Sequence, residues 1–245
     1  MPLLQEYPYL ATALAMLLIA GFSLALLRSQ AKPALLSGLL GIPYALFSFE
    51  FVGSYWHPRT IAYLWITSPE DLIFSFAAGV TAWLLAAWPF AGRIVWRFSP
   101  RRLLTRYLSL SALGIGIGYA IKFTHPIGVM NSAMVGVIVV GGLLCWLKRD
   151  SLRLAFAGML GFGVYYLALG AVSISLWPHF VQQWISAELL KYNIFGLPSY
   201  ELIWALGYGA VWPLFMAYVY DAALGAEQAS PQGELALDPI TVEQD

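Results

Sequence analysis

The chain is poor in the residues that bridge, chelate or solvate. Its 245 residues include one cysteine, Cys145, which excludes an internal disulfide and a cysteine-cluster metal site. Three histidines, His57, His125 and His179, each stand beside a proline in a connecting segment. Loop histidines of this kind are ordinarily solvated, so no metal is expected. Charged residues make up only 11%, against about 25% in soluble domains. The 13 basic and 13 acidic residues cancel, and nothing points to nucleic acid. P-loop, dinucleotide and Ser/His/Asp patterns are absent, as is an aspartate-rich Mg²⁺–diphosphate motif. No cofactor is therefore expected. The start, MPLLQEYPY, carries an acid and no basic n-region, and is not read as a signal peptide.

What is there is apolar: 60% hydrophobic residues and a mean hydropathy of +0.72. A membrane helix needs about 20 mostly apolar residues. Seven segments qualify, near 9–27, 34–54, 72–90, 104–121, 127–147, 152–176 and 200–220. The predicted fold is all-α, a polytopic membrane protein in the cell membrane, with a kink expected at Pro43. Ten Lys/Arg fall in the loops of one side, among them Arg28, Arg93, Arg101 and Arg149, and three on the other, Arg59, Lys122 and Lys191. The positive-inside rule then puts the N-terminus outside and the C-terminus in the cytoplasm. From Gly225 the chain turns polar, acidic and aperiodic, which predicts a disordered cytoplasmic tail over 225–245. Gly114, Gly116 and Gly118 alternate inside an apolar segment, a pattern suited to close helix contact.

Two stretches stand out. WITSPEDLIFSF (65–76) and FGLPSYELIW (195–204) each combine a proline and a carboxylate at the start of an apolar helix, with an aromatic three or four residues beyond the acid. Each follows a loop with Trp, Pro and His, so the membrane domain (1–224) reads as two pseudo-repeated halves, about 1–103 and 104–224. Glu50, Glu70, Asp71 and Glu201 then lie at one depth, toward the outside. Acids there are costly and mark function by default. A carboxyl removed from water is driven toward its neutral form and can deliver a proton. The plainer reading is that these acids cap helix N-termini.

Glu201, Trp204, Tyr208 and Trp212 fall at i, i+3, i+7 and i+11 on one helix face, as Glu70 and Phe74 do at i and i+4. Aromatic faces attract a cation, although membrane interfaces collect aromatics in any case. Tyr119 and Lys122 sit one turn apart, where they could meet one of the carboxyls. Asn131, a turn into the fifth segment, could add a hydrogen bond.

With SPEDLIF and GLPSYELIW in view, the chain resembles the lycopene cyclase domain family, the heterodimer-type and fused membrane carotenoid cyclases. That family carries a Pro-x-Glu-Glu-type motif in each of two membrane halves. The resemblance places Glu70 and Asp71 on the paired acids and Glu201 on the second acid of the other half, with Tyr200 in the place of the first. Glu50, in FSFEFVGSYW, falls where the family has an acid late in the second span. It implies an isoprenoid or carotenoid substrate, protonation of a terminal C=C, ring closure by the cation and loss of a proton, without net redox. Proton delivery is then expected from Glu70 and Asp71, and a stabilising role from Glu201, hydrogen-bonded by Tyr200. The bilayer is the expected surrounding, and a homo-oligomer is compatible. A non-catalytic carotenoid or isoprenoid binder and a small proton-coupled transporter are the alternatives. A retinal-binding opsin is disfavoured, since residues 200–220 hold no lysine for a Schiff base.

Overall fold

The computed structural model describes residues 2–125, 127–185 and 192–225. Among these residues seven helices are long and apolar enough to cross a membrane: Pro8–Leu26, Arg28–Phe51, Pro69–Phe90, Pro100–Thr124, Val129–Leu147, Arg149–Leu176 and Ser199–Val219. They are called spans one to seven, and they mark a multi-pass membrane protein. Lys191 and the predicted tail beyond Gly225 lie outside the described residues.

Span three opens at Pro69, three residues before the apolar run begins, because its start is chemically specified. Ser68 Oγ accepts from the Asp71 backbone N–H (3.1 Å), and Asp71 Oδ2 accepts from the Ser68 N–H (2.9 Å). This capping box, with proline at the first helical position, fixes the boundary. Span two behaves differently. Its α-helix runs over Ala31–Gly41, becomes 3₁₀ over Ile42–Phe47 and ends in a short turn, Ser48–Phe51. The change falls at Pro43, where the ring cannot continue the α ladder.

Span three is the most buried of the seven and packs against spans one, two, six and seven. Trp83, Phe162, Met16, Leu84 and Leu154 fill the centre. Backbones approach closely where glycines meet. Pro213, inside span seven, has no N–H for the Gly209 carbonyl one turn back. Span six closes on that carbonyl at Gly158, where an added Cβ would stand 2.2 Å from Gly209 O. Gly158→Ala should therefore cost about 1–3 kcal/mol of overpacking or more, read as a lowered thermal midpoint in detergent. An unchanged midpoint would remove this contact from the packing argument. Gly114 and Gly118 face span five, with the Gly114 carbonyl 2.8 Å from where a Gly136 Cβ would be, whereas Gly116 faces open space.

The loops before spans three and seven meet each other. His57 N–H donates to Gln183 O (2.6 Å) and Ile185 N–H to Tyr55 O (3.2 Å). Each loop then makes a tight turn with an aromatic in the left-handed region: Trp65 at φ 65° and Phe195 at φ 52°. Each aromatic stands six residues before a cavity-facing acid, Asp71 and Glu201 respectively.

Candidate functional site

A cavity of about 450 Å³ opens among the spans at the end where these acids lie. Three carboxyls line it, Glu50, Asp71 and Glu201. Successive helical residues point about 100° apart, so Glu70 and Asp71 cannot both face inward. Asp71 does. Glu70 is fully buried off the cavity, where its Oε1 accepts from the Ile61 N–H (2.8 Å) and its Oε2 has no partner among the described residues. That hydrogen bond ties the start of span three to the 57–66 loop.

Asp71 divides its two oxygens. Oδ2 serves the cap, accepting from the Ser68 N–H and Ser68 Oγ, both at 2.9 Å. Oδ1 takes the phenol of Tyr9 on span one at 2.8 Å. Glu201 is 8% exposed and caps nothing, because span seven has no side-chain cap. Its Oε1 accepts from Tyr55 Oη (2.8 Å) and Trp184 Nε1 (3.0 Å), and its Oε2 from Tyr166 Oη (2.7 Å). Burial, and after it the charge of Glu201, pushes the Tyr55 phenol well above its ordinary range, so it stays a donor at any physiological pH.

Tyr200 does not supply the hydrogen bond expected of it. As the residue adjacent to Glu201 it points elsewhere, is 37% exposed and lies off the cavity, and Tyr55 and Tyr166 fill the role. Asn131 is likewise exposed and off the cavity, while Met130 and Ala133 beside it line the wall. Tyr119 and Lys122 both engage Glu50: the phenol donates at 2.8 Å and the ammonium forms an ion pair.

The aromatic face of span seven is continuous. Trp204 stacks on Tyr208 at 5.1 Å and 18°, and Tyr208 on Trp212 at 5.4 Å and 14°. Phe74 stands 6.1 Å from Trp204, and Trp212 Nε1 is tied to Ser37 Oγ (2.8 Å). At 1.5 Å per residue this wall runs about 16 Å from Glu201 to Trp212. The cavity is thus walled by apolar side chains and π-faces, which attract cations, with carboxyls at one end. Among the described residues, no group of three or more His, Cys, Asp or Glu side chains is arranged to hold a metal ion.

Sequence reasoning missed Tyr9, Tyr55, Tyr166 and Trp184. Tyr55 and Trp184 lie in or near the Trp/Pro/His loops, which was the available signal. Tyr9 and Tyr166 come from other spans with no local pattern to mark them.

Comparisons with protein-family models, with curated proteins and with solved structures find no match.

Proposed function

We propose that the chain is an integral-membrane carotenoid cyclase of the lycopene type. The observation that carries this reading is Glu201: a buried carboxyl with three side-chain donors, no capping duty, and an aromatic ladder leading away from it. A proton carried on Asp71 Oδ1 passes to a terminal C=C, leaving a tertiary cation. A second double bond attacks that cation and closes the ring, moving the charge along. Loss of a neighbouring proton to the Asp71 carboxylate left by the first step restores a double bond and reloads the acid, so one proton enters, one leaves and no electrons are transferred. Asp71 suits delivery because its other oxygen keeps the helix cap whether or not Oδ1 carries a proton. Glu201, free of capping duty and held by Tyr55, Tyr166 and Trp184, is the carboxylate that faces the cation. The two matching aromatic turns, each six residues before its acid, support a duplicated origin for the two halves.

The ten-to-three division of basic residues supports a cytoplasmic C-terminus and an acid end toward the outside. Reporter fusions near Arg101 should score cytoplasmic and fusions near His57 external. The opposite result would invert the placement of the cavity. The capping box at Asp71 favours one second reading, a carotenoid binder in which that acid is structural. Pigment analysis in lycopene-producing cells separates the two, since only a cyclase changes the product.

A further inference from the structure

The cavity wall is not uniformly sealed. On spans three and seven the lining mixes buried Asp71, Glu201 and Trp212 with half-buried Phe74, Trp204 and Tyr208, and these two spans are the most enclosed by other helices. On the side of spans two and four, lining residues Phe47, Ser48, Ile115 and Gly118 are only half-buried. Span four is the least buried of the seven and packs mainly on span five. Spans two and four are instead joined by side chains in two places. Away from the acids, Tyr107 Oη donates to Leu40 O (2.8 Å), and Tyr44 Oη and Ser111 Oγ share a hydrogen bond (2.7 Å). At the acid end, Glu50 takes Tyr119 and Lys122.

Between Ser111 and Tyr119 the described residues show no hydrogen bond from span four to span two. That interval is about 12 Å of helix, with Ile115 at its centre on the same face. Opposite it, span two is not α-helical but 3₁₀ over Ile42–Phe47, the kind of segment that often marks a hinge.

We infer that the apolar ligand enters sideways from the bilayer through this window between spans two and four, with the Glu50–Tyr119–Lys122 cluster bounding it at the acid end. The route suits a molecule that dissolves in lipid and is too apolar to cross water. The inference takes its ligand, lycopene, from the cyclase reading above.

Purified protein in lycopene-loaded vesicles tests the route by two readouts, lycopene bound per protein over time and ring-closed product. Ser48→Trp and Ile115→Trp place bulk in the window, and Leu113→Trp places it on an exposed part of span four off the cavity. The window variants should load about tenfold more slowly than wild type, while Leu113→Trp loads normally. Ile115→Ala, which opens the window without adding bulk, should load at least as fast as wild type. Normal loading of both tryptophan window variants would overturn the route, as would slow loading of Ile115→Ala. Slow loading through the window with no product in wild type would keep the route and overturn the cyclase reading. Normal product formation with unhindered loading would do the reverse, and a wild type that binds no lycopene would overturn both.

Discussion

Asp71→Asn should accumulate in the membrane and convert no lycopene, whereas Glu70→Gln should accumulate and convert it at close to the wild-type rate. The two residues are neighbours in sequence and differ in direction. The amide in Asp71→Asn keeps an oxygen for the Ser68 N–H, so the cap survives at a cost of about 1 kcal/mol or less. It cannot carry an acid proton on the atom that faces the cavity. The amide in Glu70→Gln still offers an oxygen to the Ile61 N–H, the one side-chain hydrogen bond that Glu70 makes among the described residues. The measurement is product pigment per unit of membrane protein in lycopene-producing cells. Activity in Asp71→Asn would reduce Asp71 to a helix cap, and loss in Glu70→Gln with normal accumulation would return the acid role to Glu70.

Glu201→Gln should lower conversion by about a hundredfold and leave product detectable. Removing one preorganised electrostatic contact to a transition state costs about 10²–10³ in rate. The amide oxygen still accepts from Tyr55 and Trp184, and the Tyr166 hydroxyl can turn to accept from the new NH₂ group. The cavity thus keeps its shape and loses its charge. Tyr166→Phe should have a smaller effect in the same direction, because two donors on Oε1 remain. If Glu201→Gln were more damaging than Asp71→Asn, proton delivery would belong to Glu201.

Much of this was legible from local pattern. The seven spans follow from apolar runs alone, and their ends shift by only a few residues where chemistry rather than hydropathy sets them, as at Ser68 and Pro69. The ladder of Trp204, Tyr208 and Trp212 follows from helical spacing to a fixed neighbour, Glu201, and the pairing of Tyr119 and Lys122 with a carboxyl follows from the same rule. The opposite directions of Glu70 and Asp71 were within reach of that rule too, as was the outward turn of Tyr200. The donors to Asp71 and Glu201 were not. Tyr9 and Tyr166 reach the acids through tertiary packing across 62 and 35 residues, and nothing in their own neighbourhoods distinguishes them from other membrane tyrosines. Pro213 and Gly158 illustrate the same limit, since a freed carbonyl on one helix is matched by a missing side chain on another.

The most direct test is pigment analysis of lycopene-accumulating cells that express the full chain. Ring closure without net redox should convert lycopene into a product of the same mass with a changed absorption spectrum and retention time, and Asp71→Asn should abolish it. Lycopene recovered unchanged from cells whose membranes contain the wild-type protein would contradict the cyclase assignment.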